Sequence, residues 1–249
     1  MKDIIKKIID LAYAKKEGHI GSSLSVLDIL YIIYQEKISN SIDNDRNRFI
    51  LSKGHASLGL YVILNEFGLL PSGIETFCDY DSIIGGHPSD KIPYVEVSTG
   101  SLGHGLPIAV GMALGYKIQF LDGRIYVVIG DGEMNEGTIW ESLLLATNHK
   151  LNNLTCIVDY NRSNDRALKL DDLMDKIRSF NWNVLQIDGH DHTQISHALA
   201  VNDISKPTFI VANTVKGHGI RMMENNPEWH HKFPSDTEYE LITQELTNE

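Results

Sequence analysis

Cysteine is scarce: Cys78 and Cys156 are the only two in 249 residues, too few for a disulfide scaffold. Cys156 sits inside an apolar run and is expected to be buried and reduced. Long hydrophobic stretches are missing too. No window of about 18 uncharged apolar residues occurs, which argues against a membrane-spanning helix. The opening Met-Lys-Asp-Ile-Ile-Lys-Lys alternates charge with apolar residues and builds no signal core. A cytoplasmic setting is the expectation. Basic charge is in deficit: 22 Lys and Arg against 33 Asp and Glu give a formal net charge of -11, the wrong sign for a general nucleic-acid binder. A phosphorylated ligand stays compatible, because metal ions and backbone N–H groups neutralise such charge locally. Low-complexity segments and clean linkers are also lacking, and 42% hydrophobic residues suffice for a substantial core. A single domain over residues 1–249 is expected.

What the chain does contain is organised around Gly130-Asp131-Gly132. Ile125 to Ile129 is an apolar, β-branched run of the kind that forms a parallel strand buried on both faces. It ends in a turn carrying acids, and Thr138 to His149 then shows helical spacing. Upstream, the spacing predicts helices over Lys2–Lys16, from an N-cap at Ser25 with Asp28 three positions on to about Gln35, and over Leu58–Phe67, with a short strand at Phe49–Leu51. A polar loop is expected from Asn40 to Asn47, a short helix over Ile74–Tyr80, a long irregular loop from Ile83 to Gly105, and a helix over Leu106–Phe120. Downstream, strands at Leu154–Val158, Trp182–Ile187 and Pro207–Ala212 alternate with helices at Leu170–Phe180 and Thr193–Val201, and a short helix closes near Leu246. This βαβ rhythm predicts an α/β fold: a mostly parallel open sheet flanked by helices.

Asn161 follows Asp131 by one βαβ unit. Adjacent parallel strands put both at the carboxyl edge of the sheet, where open α/β sheets hold ligands. One carboxylate and one amide oxygen suit Mg²⁺ or Ca²⁺ completed by phosphate oxygens and water. Taken alone, the same residues read equally as a capping carboxylate and a turn-closing amide. His190 and His192, beside Asp188 and Asp191, read as a polar strand-to-helix turn rather than a metal cluster, and as a stretch able to line the same pocket.

In this order the residues resemble thiamine-diphosphate enzymes, and most closely the N-terminal part of transketolase. The segments that carry the likeness are Lys16–Ser25 with His19, Leu51–Ser57 with His55, Gly85–Pro88 with His87, Ser98–Gly105, Gly130–Gly132 with Asn161, and Glu224–His230. The resemblance implies the thiamine-diphosphate-binding fold and a ketol transfer between sugars or sugar phosphates. It implies that Asp131, Asn161 and the backbone carbonyl of Ser163 hold Mg²⁺, for which Ca²⁺ substitutes. Gly132 would sit against the cofactor's diphosphate, His55 would reach one of its oxygens, and Gly100 would offer its backbone to the aminopyrimidine, with Ser101, Leu102, Gly130 and Glu133 also in the cofactor-binding set. Lys53 would balance charge near the diphosphate. His19, His87 and His230 would face the reacting carbon and the substrate hydroxyls, with His104 nearby where many members carry glutamine. Glu136 would lie at a subunit interface. The likeness covers only the diphosphate-binding half of a complete transketolase. It therefore implies a separate C-terminal subunit of roughly 300 residues, which supplies the pyrimidine-activating glutamate in an α₂β₂-like assembly. The 2-oxoacid dehydrogenases and decarboxylases share Asp131 and Asn161 but leave the Gly18-His19 and Gly54-His55 loops unexplained. A non-catalytic regulator has no use for several converging imidazoles.

Overall fold

The computed structural model describes residues 1–248 except 40, 42 and 72, so the loop expected from Asn40 to Asn47 is described only in part. Five strands form one parallel sheet: β1 (Arg48–Leu51), β2 (Ile125–Gly130), β3 (Leu154–Tyr160), β4 (Asn183–Asp188) and β5 (Thr208–Asn213). Their order across the sheet is β1-β2-β3-β5-β4. β2 and β3 are neighbours, with Gly130 in register with Asp159. The two acid-bearing turns therefore emerge side by side, as the spacing predicts.

Alternate strand residues feed two cores. Tyr126, Val128, Ile157 and Ile210 point into one, packed by α1 (Lys2–Lys15), α2 (Ile20–Glu36), α3 (Ser57–Glu66), α7 (His192–Ala200) and α8 (Asp236–Asn248). Ile125, Val127, Ile129, Cys156 and Phe209 point into the other, packed by α4 (Gly105–Gln119), α5 (Gly137–Asn148) and α6 (Leu173–Ser179). The sheet is thus covered on both faces, which is why its strands read as continuous apolar runs. Among the described residues no helix is long and apolar enough to cross a membrane. Both cysteines are free, and Cys156 is buried.

The helix expected from a Ser25 cap begins five residues earlier. α2 starts at Ile20, behind His19 in the left-handed region (φ 63). All of α2 but Tyr31, Gln35 and Glu36 is buried, so it is a central helix without a polar face. Ser25 and Asp28, read as capping residues, sit in its interior and send their side chains across to other segments. The helix expected over Ile74–Tyr80 is only a 3-10 turn, Ile74–Thr76. α6 starts at Leu173, not Leu170. The segment from Ile83 to His104 is irregular but anchored, with Ile84, Ile92 and Val95 buried.

Candidate functional site

β2 delivers Asp131 into a 3-10 turn, Asp131–Asn135, pinned by the indole N–H of Trp140 on the Met134 carbonyl at 2.8 Å. Asp131 is 5% exposed. Its carboxylate accepts the Gly132 N–H at 2.8 Å and the Asn164 N–H at 3.3 Å. Burial nevertheless outweighs these bonds and pushes its pKa up. It is a carboxylate held ready without a cation among the protein groups that bond it.

Asn161 stands opposite, and its orientation is fixed from behind. Its Nδ2 donates to Ser25 Oγ at 2.9 Å and to Asp159 Oδ2 at 3.3 Å. Asp159, fully buried, also takes the Ser25 hydroxyl at 2.7 Å, the Thr214 hydroxyl, and an ion pair from buried Lys53. With its nitrogen committed, Asn161 turns Oδ1 forward, where it accepts the Ser163 N–H at 3.0 Å and hydroxyl at 2.6 Å. Ser163 opens a 3-10 turn, Ser163–Arg166, so it meets the site through its amide and hydroxyl.

Above this pair lies a cleft of about 410 Å³ lined by His19, Lys53, His55, His87, Lys216 and His230, together with Asp131, Gly132 and Asn161. The His19 ring lies 5.4 Å from that of His55 and 5.9 Å from that of His230, centroid to centroid. Burial, helped by His231 and His230, lowers the His19 pKa to about 4. Burial, helped by Lys53, lowers that of His55 to about 2. Burial and then Lys216 lower that of His230. Burial thus disfavours the charged form of all three imidazoles, and a neutral ring offers one N–H donor and one acceptor nitrogen.

The loops that carry them approach so closely that side chains are excluded. A Cβ on Gly54 would sit 2.9 Å from Gly100 N and Thr99 O, and one on Gly100, whose φ is +147, would meet His87 Cδ2 at 2.7 Å. Gly100 is thereby the floor beneath His87. Leu102, 45% exposed, borders the cleft and Ser101 faces solvent beside it.

Glu133, His104 and Glu136 sit in three different settings. Glu133 turns inward: it is 1% exposed and accepts the Gly130 and Gly103 N–H groups at 2.8 and 3.0 Å. It also accepts the Ser52 hydroxyl at 2.5 Å. It is a strut joining three loops, and it also lines the cleft. His104 is exposed at the start of α4, its Nδ1 2.9 Å from the Leu102 carbonyl, and is not part of the cleft lining. Glu136 caps α5 beside Gly103, also off the cleft, in a position compatible with an interface. Nor does His190 line the cleft: its Nδ1 is 2.9 Å from Asp28 and its Nε2 accepts the Val215 N–H at 2.9 Å.

Lys216 is the residue the sequence reading missed. Its Nζ lies 2.6 Å from His230 Nδ1, and burial, with Lys53 nearby, lowers its pKa to about 8. Between about 8 and the ordinary 10.5 the unfolded chain binds more protons there than the folded one, so this group makes the ligand-free chain gain stability as pH rises through that window. Its positive charge fades over the same range. Affinity for inorganic pyrophosphate is expected to fall as pH rises past about 8. Lys216→Gln should bind pyrophosphate several-fold more weakly and lose that pH step, as read by isothermal calorimetry.

A Mg²⁺–diphosphate group fits these residues. The donors facing the cleft from Asp131 and Asn161 are oxygens, the preference of a hard cation. A Cβ on Gly132 would meet nothing within 4 Å, so the floor between them is open. Lys216 supplies a cationic group to the cleft, and Lys53 lines it while paired with Asp159.

Comparison with known proteins agrees with this geometry. The family model described as transketolase, thiamine diphosphate binding domain, matches residues 2–247. An apulose-4-phosphate transketolase subunit from Actinobacillus succinogenes is 40% identical over 261 residues, covering 100% of this chain and 95% of that protein. A 6-deoxy-6-sulfo-D-fructose transketolase subunit from a Clostridium species is 33% identical, covering 93% and 89%. The transketolase of Campylobacter jejuni superposes with a TM-score of 0.87 at 27% identity, over 99% of this chain but 42% of that one. The chain belongs to the transketolase thiamine diphosphate-binding domain family.

Proposed function

We propose that this chain is the diphosphate-binding subunit of a two-chain transketolase, which moves a two-carbon ketol unit from a ketose or ketose phosphate to an aldose or aldose phosphate. The observation that carries the reading is the set of three neutral imidazoles, His19, His55 and His230, gathered over an oxygen-lined cradle at the sheet edge. Relatives named as transketolase subunits, of which this chain covers 95% and 89%, support the two-chain form. Thiamine diphosphate, when bound, supplies the carbanion chemistry of carbon–carbon cleavage.

The chain's own residues then have separate tasks. Asp131 and Asn161 would hold Mg²⁺ through Oδ atoms, and Lys216 would offset part of the remaining negative charge. His19 and His230 exchange protons with substrate hydroxyls through their ring nitrogens, which burial keeps uncharged. His87, exposed on the Gly100 floor, reaches toward the substrate side. The partner closes the Leu102 rim and brings the pyrimidine-activating glutamate, in an α₂β₂ assembly.

The test is co-expression with a separate pyrimidine-domain chain, followed by a transfer assay from xylulose 5-phosphate to ribose 5-phosphate with and without thiamine diphosphate and Mg²⁺. The chain alone should be inactive and the complex active only with both cofactors. Absence of both a complex and cofactor binding overturns the reading. Cofactor binding without transfer between these two sugars retains the cofactor assignment and shifts the substrate to another sugar.

A further inference from the structure

Two clusters of histidine and acid lie close to the cleft, and they differ in one respect. In the first, Asp28 is flanked by His190 at 2.9 Å and His192 at 2.7 Å. His190 gives one ring nitrogen to Asp28 and uses the other to accept the Val215 N–H. No lone pair on that ring remains for a metal. The second cluster is Glu17, His19 and His231. One ligand atom from each lies within 4.8 Å of the others. The Glu17 carboxylate stands 3.5 Å from His231 Nε2 and, among the described residues, accepts a hydrogen bond only from the neighbouring Gly18 N–H, at 3.1 Å. Neither His19 nor His231 makes a ring hydrogen bond to a described residue; their rings lie 4.5 Å apart, centroid to centroid. The arrangement is held by packing. A Cβ on Gly18 would sit 2.9 Å from His231 Cδ2 and from Lys232 N, so the two loops touch backbone to side chain at this point.

We propose that Glu17, His19 and His231 form a binding site for a borderline transition-metal ion, Zn²⁺ first among them, at the mouth of the cleft. Two imidazoles and one carboxylate are a three-ligand zinc set that leaves a fourth position for water or a small anion. Bonds of about 2.0–2.1 Å at tetrahedral angles place neighbouring ligand atoms about 3.4 Å apart. The Glu17–His231 separation already has that length, and the third ligand closes by side-chain rotation. Imidazole ligands select Zn²⁺, Ni²⁺ or Cu²⁺ over Mg²⁺ and Ca²⁺, so this site and the oxygen cradle at Asp131 sort ions by chemistry. The bound ion takes His19 out of proton exchange. The site is therefore inhibitory, a consequence that rests on the transfer reading above.

The metal-binding test uses the chain alone and does not depend on activity. Co²⁺ is titrated by its visible absorption, and Zn²⁺ by competition with a chromophoric chelator. One ion per chain is expected. Glu17→Gln and His231→Ala should each weaken binding by more than about tenfold, with circular dichroism unchanged because neither side chain is buried. Asp131→Asn should leave it unaltered. Wild-type affinity in both Glu17→Gln and His231→Ala overturns the proposal. So does loss of binding in Asp131→Asn, which would put the ion in the oxygen cradle. In the assembled enzyme, Zn²⁺ should inhibit wild type and spare His231→Ala; equal inhibition of both overturns the inhibitory role.

Discussion

Replacing Lys53 with methionine is expected to cost about 3–5 kcal/mol of folding stability, because it strands a buried charge. Lys53 is 1% exposed and Asp159 0%, so bulk water cannot take the place of the missing partner. The Ser25 and Thr214 hydroxyls and the Asn161 amide would still bond the Asp159 carboxylate, but none of them neutralises it. Lys53→Met with Asp159→Asn removes both charges and should regain most of the loss. Urea midpoints of the single and double variants measure both effects. A single variant as stable as wild type would mean that the pair is not buried as described.

Asp131→Asn is expected to separate stability from binding. The carboxylate sits in a buried place where its charge is disfavoured, with two backbone N–H groups for company. An asparagine there keeps an acceptor and sheds the charge. The ligand-free variant should thus melt no lower than wild type, the usual trade at a site built for a ligand. Mg²⁺-dependent binding of thiamine diphosphate should meanwhile fall by at least about a hundredfold, since losing a direct ligand exceeds the 10–100-fold typical of outer groups. Thermal melts with and without both ligands read the two changes together. A variant that still shows the Mg²⁺-dependent rise in melting temperature removes Asp131 from the ligand set.

The parts of this site carried by chain rhythm were legible in the sequence. A buried strand, an acid-bearing turn and a helix recur, and the spacing of Asp131 and Asn161 matched two neighbouring strands. The order of the later strands was not legible. β5 inserts between β3 and β4, and an apolar run records that a strand is buried but not which strand lies beside it. Ser25 and Asp28 were misread because a hydroxyl or carboxylate near a helix start serves equally as a cap or as a long-range partner. Here Ser25 bonds Asp159, 134 residues on, and Asp28 holds two histidines from the β4–α7 turn. Glu133 was legible as an acid in the right turn, but not which way it faced. Asp159 and Lys216 went unnoticed for a related reason. Both precede or follow segments already assigned a task, and their importance comes from what burial places against them.

The amide at Asn161 has a consequence for how much negative charge the cradle can carry. Its rear nitrogen is spoken for by Ser25 and Asp159, and a carboxylate in its place would turn an oxygen toward Asp159 with no hydrogen between them. Two carboxylates would then face each other in a buried place, a repulsion that the amide avoids. A divalent ion seated in the cradle meets a single formal negative charge from Asp131 and Asn161 and keeps surplus positive charge for whatever lies above it. The interior of the sheet edge, several bonds away from any ligand, thereby sets the pull that the surface exerts.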